Sequence, residues 1–139
     1  MGSPAISIDA AECMTIPDVC KTPTPAGPIP IPYPNTGTTL MANPATIVDN
    51  VFIAAMPAVV EESEIMMSEG DDLGVAGGII SSMFIGPISV ELGSVTVFIG
   101  GRGAAYVGSL TGHNGDPNSN MPVGVLDTPS PPGTVLVAP

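Results

Sequence analysis

The chain has 139 residues, enough for one domain of ordinary size. Hydrophobic residues make up 44% and charged residues 11%. That charge share is less than half of the usual ~25% and excludes disorder of the polar, highly charged kind. Thirteen acids face two bases, Lys21 and Arg102, for a net charge of -11, which excludes charge-driven binding to nucleic acid or to an anionic membrane.

The chain opens "MGSPAISIDAAEC", with no basic start and no continuous apolar stretch, so no signal peptide is expected. No apolar run reaches the ~18 residues of a membrane helix. The expectation is a protein made in the cytoplasm and exported by a route that reads no N-terminal signal. In a reducing compartment Cys13 and Cys20 are expected to be free or metal-bound rather than bridged, with a disulfide formed after export as the rival reading.

"KTPTPAGPIPIPYPN", residues 21–35, holds six prolines in fifteen residues. In an extended strand, alternate N–H groups point to opposite edges and alternate side chains to opposite faces. Pro28, Pro30, Pro32 and Pro34 therefore all remove donors from one edge. Ile29, Ile31 and Tyr33 keep theirs on the other and are expected to share a buried face. The segment reads as an edge strand that pairs on one side and cannot be extended on the other. The rival is a polyproline II ligand, making the protein a Pro-rich binding module.

Farther along, "NVFIAAM" (50–56) reads as a strand, and "PAVVEESEIMMSE" (57–69) as a helical turn or two. Glu61, Glu62, Glu64, Glu69, Asp71 and Asp72 fall within twelve residues and read as a solvated loop; the segment lacks the spacing of a calcium loop. Five glycines lie between 70 and 87, yet neither a dinucleotide nor a P-loop phosphate motif is present, so they mark tight turns and close backbone approach. Strands are expected at 79–86, 88–93, 94–100, 103–110, 123–127 and 134–138, spaced by turn signals. This pattern predicts one mostly β domain, residues 1–139, of short strands with Pro/Gly-rich loops.

Cys13, Cys20 and His113 are the soft ligands available besides methionine, and zinc prefers Cys and His in a tetrahedral set. The two cysteines are separated by six residues, wider than a zinc knuckle. Asp18 or Asp116 is a candidate fourth ligand. Without metal, Cys20 reads as a small buried apolar residue and His113 as a turn residue. A further alternative is a small thiol hydrolase built on Cys20 and His113 with an acid as orienter, but the strand–turn–helix context of such a nucleophile is missing.

"PDVCKTPTPAGPIPIPYPN" (17–35), "GDDLGVAGGIISSMFIGP" (70–87) and "LTGHNGDPNSNMPVG" (110–124) resemble, in that order, the three signature blocks of the PAAR-like proteins of the DUF4150 type. These are spike-tip proteins of contractile injection machines, chiefly type VI secretion systems. The resemblance implies a small pointed cone of short β-strands. It implies a non-enzymatic tip that caps a trimeric VgrG-like spike, one copy per trimer, for membrane puncture and effector delivery. The implied partners are the spike, an effector and, transiently, the target membrane. It also implies zinc near the vertex, with Cys20 and His113 at the matching positions, although this chain supplies one histidine where the pattern supplies several. The chain ends at "TVLVAP" soon after the third block, so the expectation is a stand-alone tip, or the tip portion of a longer protein, without a toxin domain.

Overall fold

Proline and glycine divide this chain into short extended pieces, and the pieces pair. A computed structural model describes residues 2–9, 11–53, 55–115, 119–128 and 135–138. In chain order the strands are β1 (Ser3–Pro4), β2 (Glu12–Thr22), β3 (Ile29–Thr38), β4 (Val48–Ile53), β5 (Met56–Ala58), β6 (Glu64–Ile65), β7 (Ile88–Val90), β8 (Phe98–Ile99), β9 (Arg102–Gly103), β10 (Leu110–His113), β11 (Met121–Thr128) and β12 (Leu136–Val137). A single 3-10 turn, Thr39–Met41, is the one helical element among the described residues. The mostly β class expected from turn spacing is the class found.

The main sheet is antiparallel in the order β3-β2-β11-β10-β7-β6; the pairs β1-β12, β4-β5 and β8-β9 form small sheets beside it. One apolar cluster joins Ile6, Cys13, Ile65, Ile88, Val90 and Leu126 under the main sheet. A second joins Ala5, Ile53, Ala58, Tyr106 and Val137 among the small sheets.

Several boundaries differ from the sequence reading. The longest strand, β2, was not anticipated, because Pro17 and Asp18 interrupt it. Its register against β3 shifts between Thr15 and Asp18, and Pro17 falls in that irregularity, where a missing donor does least harm. Residues 57–69 form no helix. Strands β5 and β6 flank a turn in which Glu62 takes φ 71° and the Ser63 hydroxyl accepts the Val60 N–H at 3.0 Å. Residues 79–86 are not a strand either. Ser82 and Ile85 take positive φ, and the Gly78 N–H bonds back to Met83 O at 2.8 Å, so the segment turns on itself. Of 94–100 only Phe98–Ile99 is extended; the Ser94 hydroxyl accepts the Thr96 and Val97 N–H groups and holds a turn before it.

Strand β3 lies at the edge of the main sheet and pairs with β2 from Ile29 to Thr38. Pro28, Pro30, Pro32 and Pro34 are exposed. Where the prolines stop, Thr36 exchanges backbone bonds with Glu69 on the outer side, at 2.7 and 2.8 Å. The edge is thus blocked by proline along one half and partly covered along the other. The segment is paired rather than displayed as a free polyproline ligand. One correction follows: Ile31 and Tyr33 are half-buried, but Ile29 is 44% exposed and does not join them. Ile31→Ala is therefore expected to cost about 1–2 kcal/mol, less than for a fully buried isoleucine, and Ile29→Ala close to nothing. Urea unfolding of the two variants checks the order.

Candidate functional site: a buried acid–thiol–amide cluster

Asp18 and Cys20 are two residues apart on β2, so both side chains leave the same face. Opposite them on β3 stand Tyr33 and Ile31. The loop 70–86 folds over this face and is pinned to the free edge of β2: Lys21 N–H donates to Gly77 O at 2.8 Å, and Ile79 N–H donates to Val19 O at 3.2 Å. Close approach requires glycine here. A Cβ at Gly74 would stand 2.4 Å from Cys20 Cβ, and one at Gly78 would stand 2.3 Å from Asn120 Cγ.

The loop carries Asp71 into the cluster. Asp18, Cys20 and Asp71 are all fully buried, and one ligand atom from each lies within 4.8 Å of the other two. Two amides close the set. Asn114 Nδ2 donates to Asp18 Oδ2 and to Asp71 Oδ2, and Asn120 Nδ2 donates to Asp18 Oδ1. Their orientations are fixed from outside. Gly86 N–H donates to Asn114 Oδ1 at 2.7 Å, and Ile80 N–H to Asn120 Oδ1 at 2.8 Å. Ile85 N–H donates to the Asp71 carboxylate at 3.1 Å, and the Cys20 thiol donates to Asp71 Oδ2 at 3.6 Å. Asn114 has φ 58°, a conformation asparagine tolerates better than most residues.

The electrostatics follow from burial. Desolvation raises the Asp18 carboxyl above its ordinary range, and the Asp71 charge adds to this; the two amides oppose both. The Cys20 thiol is pushed up to about 12, by burial first and then by Asp18 and Asp71. Such a thiol is no nucleophile at neutral pH.

The group could hold a metal ion. Its donor chemistry, two carboxylates and a sulfur, suits a borderline cation such as zinc; the thiol makes it a poor site for calcium or magnesium. Cys20 and Asp18 belong to it, whereas His113 and Cys13 do not. His113 is buried at the end of β10, with Nδ1 2.8 Å from Asn35 Oδ1 and Nε2 2.9 Å from the Thr111 hydroxyl. The amide oxygen only accepts, so Nδ1 carries the proton and Nε2 accepts from Thr111; both nitrogens are used. The Asn35 Nδ2 beside it is buried with no hydrogen-bond partner. Cys13 sits in the first apolar cluster, its thiol donating to Gly37 O at 3.6 Å, and burial pushes it up to about 12. Asp116 lies outside the described residues.

Both cysteines are free thiols, and Cys20 and His113 do not form a nucleophile–base pair. Iodoacetamide at pH 7.5 is therefore expected to leave both thiols unmodified in the folded protein and to label both in urea; fast labelling of Cys20 in the native state would refute the buried assignment. Sequence reasoning missed Asp71, hidden in an acidic run that reads as solvated, along with Asn114 and Asn120. The one available signal was position: all three lie in or beside the second and third resemblance blocks.

No curated protein and no solved structure matches the chain. A family model for the Toxin PAAR-like domain matches residues 11–122, spanning β2 through the start of β11 and every residue of the cluster, and the chain belongs to that family.

Proposed function

We propose that this domain is a non-enzymatic tip that caps the end of a trimeric VgrG-like spike in a contractile injection machine. The observation that carries this reading is the match to the PAAR-like family over residues 11–122. Surface chemistry supports it. Val51, Phe52, Phe98 and Leu136 are exposed on β4, β8 and β12, the strands that share the second apolar cluster. A chain with two bases has little capacity for salt bridges, so a spike interface here is apolar. One tip on a threefold axis gives one copy per three spike subunits. Co-expression with a trimeric spike protein and native mass measurement test this: a 1:3 complex that survives ~1 M salt, where the Debye length is about 3 Å, is expected. A 3:3 complex, or dissociation on raising salt, would overturn it.

The cluster of Asp18, Cys20 and Asp71 is the place where such a tip would take zinc. The ion would offset two buried carboxylates and convert the Cys20 thiol to thiolate, which stiffens the loop lying over it. Native mass spectra with zinc should then show one ion per chain, absent in Cys20→Ser.

A further inference from the structure

We propose that a cavity between β3 and the segment 66–69 takes the side chain of a lysine carried on an apolar segment of a partner protein. The cavity, of about 120 Å³, is lined by Met41 and Met67, by Thr36 and Thr38, and by Glu12 and Glu69. That is room for several waters, and so for one long side chain. Backbone bonds tie its walls. Met66 N–H donates to Met41 O at 3.0 Å on one side, and Thr36 and Glu69 exchange their bonds on the other. Between Thr38 and Met41, the buried Thr39 donates its N–H to Ala11 O at 2.8 Å, and its hydroxyl accepts the Ala11 N–H at 3.1 Å. The cavity is therefore formed before anything enters it, which keeps the ordering cost of binding low.

The lining selects the occupant. Met41 and Met67 are exposed, and their thioether side chains are apolar and adapt to an alkyl chain. Glu12 and Glu69 are exposed too, and neither carboxylate has a partner among the described residues. Lysine answers both features, because its four-carbon stem lies along apolar surface while its ammonium keeps to charge and water. On β2, opposite Thr36, Met14 is also exposed and offers a seat for an apolar neighbour of that lysine.

The base has to come from outside. Of the two in this chain, Lys21 lies at the far end of β2 from Glu12, and Arg102 lies on β9 in another sheet. A second copy is a poor partner, since it brings a net charge of -11 to a net charge of -11. A small metal ion is a poor occupant as well. Among the described residues, the one group of three ligand residues close enough to share an ion is Asp18, Cys20 and Asp71, which includes neither glutamate. The cavity is also separate from the apolar surface assigned to the spike: that surface lies on β4, β8 and β12, and the cavity lies at the β3 edge of the main sheet.

Methionine-methyl NMR of the full chain tests this, with the peptide acetyl-Ala-Leu-Lys-Leu-Ala-amide as probe. The peptide should shift the methyls of Met41 and Met67 and leave Met83, in the loop 70–86, in place. A Kd on the order of 1 mM is expected for one side chain at an exposed site. The same peptide with norleucine for lysine should bind at least ~tenfold more weakly, and so should the lysine peptide in ~1 M salt. Glu12→Gln with Glu69→Gln should weaken binding as much while the far-UV spectrum stays the same. Equal binding of the norleucine peptide would leave only an apolar groove, and equal shifts at Met83 would mean unspecific attraction to an acidic chain; either overturns the proposal. So would unchanged binding by the glutamine variant, or no shift at ~10 mM peptide. Calcium alone shifting Met41 and Met67 and blocking the peptide would also overturn it, by making the two glutamates a metal site. The isolated chain is used throughout, so this test and that of spike capping fail separately.

Discussion

Asn114→Ala is expected to destabilise the protein by about 3–5 kcal/mol, the range for leaving buried charge without its partner. One side chain does three jobs. Its Nδ2 bonds both Asp18 and Asp71, its Oδ1 takes the Gly86 N–H, and its backbone sits at φ 58°. Alanine loses all the side-chain hydrogen bonds and keeps a Cβ at a left-handed φ that asparagine tolerates better, a further cost of up to ~1 kcal/mol. Whole domains of this size are stable by only about 5–15 kcal/mol, so the variant should be near the limit of folding. Asn114→Gly separates the terms: it deletes the same bonds without the backbone strain and should fall short of the alanine loss by about 1 kcal/mol. Denaturant unfolding of both variants measures this. An alanine variant within about 1 kcal/mol of the parent would mean that the two acids are stabilised by something other than this amide.

Much of the fold was legible because proline and glycine act locally. The alternation at 28–34 gives an edge strand directly, since a residue without an N–H cannot serve an inner one. The strand spacing after residue 88 gives the class. Helix 57–69 failed because its apolar spacing was overridden by long-range pairing of Glu64 and Ile65 with Ser89 and Ile88, contacts that no local window contains. The site failed for a related reason. Cys20 and Asp18 could be picked by type, but their partner Asp71 is 51 residues from Cys20 and Asn120 is 102 from Asp18. His113 drew notice as a metal ligand by its chemistry and by its place in the third resemblance block. Its actual partners, Asn35 and Thr111, follow from the sheet that brings β3 and β10 to the same interior.

That interior makes His113 a source of acid sensitivity. Burial lowers its imidazole from 6.5 to about 4. Below about pH 6.5 the unfolded chain takes up a proton that the folded chain refuses until about pH 4. In this window the unfolded state binds more protons, so stability falls as pH falls. The shift of about 2.5 units corresponds to roughly 3 kcal/mol, present in full above pH 6.5 and lost by pH 4. Asp18 works the other way. Its raised folded-state pKa means that the folded chain takes a proton first, so its contribution grows as pH falls and is lost as pH rises through that value. Unfolding measured from pH 4 to pH 7 on the parent therefore gives a slope smaller than His113 alone would give. His113→Gln removes the imidazole and should flatten or reverse the slope, even if its stability at pH 7 is lower, because only Asp18 is left to drive it. Asp18→Asn should steepen it. A parent and a His113→Gln variant with the same slope would show that the imidazole is already charged, or already in water, in the folded protein, and the pairing with Asn35 and Thr111 would be wrong.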